Sequence, residues 1–144
     1  MMEVIWGAFL TALTLIAWVG QTIYAISPRL GAKLGVGEAE AALDPVFYID
    51  GRGEAIWDSM IIWTLPVAGL LLMFSNPLWI YFGLVGGGCY LYFAGRSLTT
   101  RIMMQRRGIR IGSLNSIKIA NLFIILWGLA ALITIVMAVV ALNI

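Results

Sequence analysis

The chain has 144 residues, 62% of them hydrophobic and 11% charged, with a net charge of +2. Soluble domains carry about 25% charged residues, so this chain has too few to cover a water-facing surface, and its small net charge argues against nucleic acid as a partner. Histidine is absent and Cys89 is the one cysteine, which excludes an internal disulfide and argues against zinc and haem sites built from ordinary ligands; no metal and no cofactor is expected.

Three stretches carry no charge at all: residues 4–26, 59–95 and 119–144. Crossing ~30 Å of hydrocarbon takes about 20 apolar residues. The first stretch predicts one helix over about 4–26. It is read as a retained span and not a cleaved signal peptide, because Met1-Met2-Glu3 brings no positive charge and the positive flank, Arg29 and Lys33, follows the apolar run.

The middle stretch is too long for one span and is broken by Ser75-Asn76-Pro77. Proline fixes φ and pushes the preceding residue out of helical geometry, and Asn76 can cap a new helix with Pro77 at its first position. Two helices are predicted there, over about 55–74 and 77–96, the second running on to about 107. Pro66 should kink the first of them, with Thr64 answering part of the freed backbone. A last helix is predicted over about 117–142. The expected fold is therefore an all-α four-transmembrane-helix bundle forming one domain over residues 1–144, with links at 27–54 and 97–116.

All nine Lys and Arg fall on or beside those two links. Positive residues are retained on the cytoplasmic face during insertion, so both termini are expected outside the inner membrane and both links in the cytoplasm. Aromatic residues near the predicted boundaries, such as Trp6, Trp79, Tyr24 and Phe47, read as interface anchors. Trp18, Trp63 and Trp127 lie deeper, and because a buried indole N–H needs an acceptor, each is expected to face other helices.

Between lipid-embedded helices, small residues matter more than apolar ones. Gly83 and Gly87 have the four-residue spacing that lets two helices approach closely, within the chain or between copies. The polar residues inside the spans are the informative ones. Gln21, Asp58, Arg96 and Asn121 come from the four predicted helices at nearly one depth. Asp44-Pro45 looks like a cap and first helical residue, and Asp50, Glu54 and Asp58 recur every four residues, but Gly51 and Gly53 between them suggest a turn at Asp50-Gly51 and a helix starting only near 55. Asp58 is expected to pair with Arg96 or Arg52, with Glu54 out at headgroup level, so that losing Asp58 should hurt more than losing Glu54. Gln21, Asp50, Arg52, Glu54, Asp58, Arg96 and Asn121 together make a candidate polar pocket for a ligand facing the cytoplasm. The spacing of an EF-hand or of a phosphate-cradling loop is absent.

The second link is strongly basic, and Arg101, Arg106, Arg107 and Arg110 are expected to meet anionic lipid headgroups. Three functions follow in decreasing order: a non-catalytic accessory subunit or oligomeric scaffold; an enzyme or binder acting on a lipid-like amphiphile at the cytoplasmic interface; and a transporter or channel subunit. Against an enzyme stands the lack of a nucleophile–base pair recognisable by spacing.

Overall fold

A computed structural model describes residues 1–143. It is helical throughout, with no strand among the described residues: α1 (Met2–Ile26), α2 (Pro28–Lys33), α3 (Pro45–Ile61), α4 (Thr64–Met73), α5 (Trp79–Arg106) and α6 (Leu114–Leu142), plus one 3₁₀ turn at Glu40–Ala42. Three helical stretches are long and apolar enough to cross a membrane: Met2–Ile26, Pro45–Met73 and Leu114–Leu142. The 28 residues of α5 match them in length, but its glycines, tyrosines and Arg96 dilute its hydropathy. Large apolar side chains such as Phe9, Ile16, Trp57, Leu122 and Ile133 cover the exterior, a surface suited to lipid and costly in water.

Local chemistry sets the boundaries. Ser27 caps α2 by accepting from the Leu30 N–H, Asp44 caps α3 by accepting from the Val46 N–H at 3.0 Å, and Ser113 caps α6 by accepting from the Ser116 N–H. The Asp44 cap with Pro45 behind it starts α3 ten residues earlier than the sequence suggests. The expected turn at Asp50-Gly51 does not form, and the helix runs unbroken through both glycines. An added Cβ at Gly51 or Gly53 would meet nothing within 4 Å. Their cost to the helix is about 1 kcal/mol each, which the cap and the packing against α1 offset.

The interruption between α3 and α4 falls at Ile62 and Trp63, directly upstream of Pro66. A proline has no N–H for the carbonyl four residues back and clashes with it. The Ile62 carbonyl instead takes a long 3.4 Å bond from Leu65, while the Thr64 hydroxyl donates to the Ile61 carbonyl at 2.9 Å. The α4–α5 turn is closed by the Asn76 N–H donating to the Leu71 carbonyl at 2.9 Å. That closure places Ser75 at φ 51°, a left-handed helix end, and Asn76 then accepts from the Leu78 N–H at 3.0 Å.

α1 packs against α3 and α4, α4 against α5, and α5 against α6. Glycines set the closest approaches. A Cβ on Gly7 would sit 2.6 Å from the Gly69 carbonyl oxygen, and one on Gly86 would sit 2.5 Å from the Leu65 nitrogen. Gly83 and Gly87 both face α6, against Thr134 and Ile135. Between the helices Tyr90 is fully buried and donates to the Thr14 carbonyl at 2.6 Å. Trp18 donates to the Ser59 carbonyl and Trp127 to the Leu13 carbonyl, each in another helix. Trp63 departs from expectation: it is 39% exposed and donates to the Met60 carbonyl of its own segment, because the break above Pro66 leaves that carbonyl free.

Candidate functional site

Because α3 is continuous, Asp50, Glu54 and Asp58 do share one helical face, and α5 lays Arg96 and Ser97 beside it. The Arg96 guanidinium is forked between the two shallower carboxylates, donating through Nη2 to Asp50 and through Nη1 to Glu54. The Ser97 hydroxyl donates to the second Glu54 oxygen. The Glu54 side chain is 15% exposed and that of Arg96 31%, so the pair is partly desolvated.

This arrangement corrects the expected pairing. Asp58 does point inward and is 5% exposed, but it forms no ion pair among the described residues, and its Oδ2 has no hydrogen-bond partner. Glu54, expected at headgroup level, is instead half-buried and shares Arg96 with Asp50. Long cationic side chains extend towards water while their stems stay in the apolar zone. Arg96 therefore reaches back to Asp50 and Glu54 and leaves Asp58, one turn deeper, alone.

Arg52 takes a different role. Its Nη1 donates to the Tyr24 carbonyl and, at 3.0 Å, to the Ala25 carbonyl, and its guanidinium lies 5.9 Å from the Tyr24 ring. It caps the C-terminal end of α1, where the helix dipole favours a cation. Asn121 also stands apart, with its Oδ1 buried and unpartnered.

Beside the ion pairs, a cavity of about 800 Å³ opens between α1, α3, α5 and α6. Gln21, Asp50 and Glu54 of the seven candidate residues lie on its wall. Ser97 and Arg101 add to its polar end, while Ala17, Phe93, Ile124 and Trp127 form its apolar side. Residues 34–39 of the first link lie across it. That link is tied down at several points. Glu38 accepts from the Ser113 N–H at 2.7 Å; the Asp44 N–H donates to the Arg110 carbonyl at 2.8 Å; and the Arg110 side chain donates to the Ala41 and Leu43 carbonyls at 3.3 Å. The Ser113 amide, followed by the Ser116 and Ser113 hydroxyls, holds the Glu38 carboxyl below its ordinary value.

Of the four arginines of the second link, Arg106, Arg107 and Arg110 are exposed. Arg101 is not among them. It is half-buried on the cavity wall, 5.3 Å from the Phe47 ring. The sequence sets it apart from its neighbours by its place one turn beyond Arg96 and Ser97, which groups it with Arg52 and Arg96 for a binder of an amphiphile. Ser97, Glu38 and Phe47 were missed as parts of the site, since each acquires its role only through a partner distant in sequence.

Both of the shallower carboxylates are engaged by Arg96, and no cluster of three His, Cys, Asp or Glu able to hold a metal occurs among the described residues. A volume of this size, apolar on one side and polar at one end, fits a small organic molecule. No family model matches the chain, and neither a curated protein nor a solved structure does.

Proposed function

We propose that this chain is an inner-membrane protein that crosses the bilayer four times and acts as a non-catalytic accessory module, holding an amphiphile in the cavity at its cytoplasmic face. The fourth crossing is α5, packed between α4 and α6 along its apolar first half. The orientation rests on the nine Lys and Arg, which all lie at the end of the molecule carrying the two links. A Gly108→Cys variant should accordingly resist an impermeant thiol reagent applied outside intact cells.

The observation that carries the binding role is the cavity itself. Its apolar side, formed by Phe93, Ile124 and Trp127, adjoins a polar end formed by Gln21, Ser97 and Arg101. That division matches a tail and a headgroup. The test is retention of lipid-like molecules by the purified protein in a neutral detergent, measured by solvent extraction and mass spectrometry. Wild type should retain an amphiphile, and Ala120→Trp, which fills the cavity from α6, should lose it without a drop in melting temperature. Equal retention by the two proteins would contradict the proposal.

A further inference from the structure

We infer that Arg101 is the oxyanion-recognising residue of this cavity and that the amphiphile it holds carries an anionic headgroup of phosphate or carboxylate type. The inference rests on the binding role proposed above and adds the chemical class of the ligand.

Four charged side chains lie on the cavity wall: Glu38, Asp50, Glu54 and Arg101. Three of them are already answered within the chain. Asp50 and Glu54 take the fork of Arg96, Glu54 also takes the Ser97 hydroxyl, and Glu38 takes the Ser113 N–H. Arg101 alone has neither an ion-pair nor a hydrogen-bond partner among the described residues. Glu54 lies near enough to be felt by Arg101, but its oxygens are turned to Arg96 and Ser97 and no hydrogen bond joins it to Arg101 among the described residues, so the five N–H donors of the guanidinium lack an acceptor within the chain.

A half-buried cation in that condition calls for an acceptor from outside the chain. The Phe47 ring stabilises the charge through its face, yet accepts no conventional hydrogen bond. A planar guanidinium fork matches the paired oxygens of a phosphate or carboxylate. Gln21 also makes no side-chain hydrogen bond among the described residues, and it stands on the same wall, able to donate to a headgroup. The apolar side made by Phe93, Ile124 and Trp127 continues from this polar end, which distinguishes the place from an open binding site for a free anion.

The test is native mass spectrometry of the full chain in a neutral detergent, offered phosphatidic acid, phosphatidylcholine and diacylglycerol at equal concentration. Wild type should bind phosphatidic acid at least tenfold over diacylglycerol. Arg101→Gln should lose that preference, Arg101→Lys should keep part of it, and Arg106→Gln, which changes an exposed arginine off the wall, should keep all of it. An unchanged preference in Arg101→Gln overturns the inference; should that variant fail to fold, an unchanged preference in Arg101→Lys does so. If all three lipids bind equally and Ala120→Trp abolishes them, the binding role stands and the anionic class fails. If none binds above the Ala120→Trp background, the binding role itself fails. Inorganic phosphate in excess should not displace phosphatidic acid; displacement would make a soluble oxyanion the ligand and overturn the choice of an amphiphile.

Discussion

The two ends of the molecule are built on opposite plans. At the end carrying the termini and the Ser75–Pro77 turn, helices touch backbone to backbone at Gly7 and Gly69, and Thr11, Thr14 and Thr134 donate to carbonyls of their own helices. These hydroxyl bonds stay within the turn, apart from a second, longer contact of Thr11 with the Pro66 carbonyl of α4 at 3.4 Å. At the end carrying the two links, helices are held apart by long side chains. Polar groups there bond across elements, from α5 to α3, from α3 to α1 and from one link to the other. The first plan gives rigidity, and the second gives a cavity. Small residues close a helix pair in lipid, where dispersion and not hydrophobicity drives association; charged residues hold it open, because their hydrogen-bond geometry fixes a separation.

The sharpest way to break this contrast is to open the closed end. In Gly86→Leu a side chain would begin 2.5 Å from the Leu65 backbone nitrogen, where nothing flexible can yield. A loss of about 3 kcal/mol or more is expected, read as a large fall in melting temperature in detergent. Gly88→Leu, where an added Cβ would meet nothing within 4 Å, should melt like wild type.

At the open end the effects should be smaller, and their ranking is informative. Arg96→Gln leaves Asp50 and Glu54 facing one another without their cation. Breaking a fully buried pair costs 3–5 kcal/mol, but the Arg96 side chain is 31% exposed, so about 2 kcal/mol is expected after solvent screening. Asp58→Asn removes no ion pair and should cost less than Glu54→Gln, the reverse of what depth in the sequence suggests. Thermal melts of the three variants in one detergent give the order directly.

How much of this was legible from residues alone follows a simple physical division. Span positions were legible because they depend on runs of apolar side chains and on proline: the helix over about 4–26 and the break before Pro77 stand within a few residues of α1 and of the α4–α5 turn. The start of α3 was not, because the Asp44 cap and contacts with α1 outweigh the local penalty of two glycines. Nor was the partner of Arg96, since Glu54 and Asp58 lie on the same face and only the direction of the arginine side chain chooses between them. Close approaches at Gly7, Gly69 and Gly86 were missed because spacing marks a small residue without saying which helix meets it.

The smallest effect expected is one of pH. The Glu38 carboxyl, held below its ordinary value by the Ser113 amide, stabilises the crossing of the two links when ionised. A lowered pKa in the folded chain means this contribution is present above the unfolded value, about 4.3 for a glutamate, and is lost as pH falls through the lower folded one. The Ser113 amide resonance should therefore titrate with a midpoint below about 4.3, and Glu38→Gln should abolish the titration.

The central claim is that an acyl tail enters between the helices, and contact between lipid and two adjacent side chains of α5 tests it most directly. Tyr92 is 71% exposed on the outer surface, whereas Phe93 is 5% exposed and reachable only through the cavity. Nuclear Overhauser contacts from phosphatidic acid acyl protons to both rings, with those to Phe93 disappearing in Ala120→Trp and those to Tyr92 surviving, are the result the account predicts. Contacts to Tyr92 with none to Phe93 in the wild-type chain would contradict it.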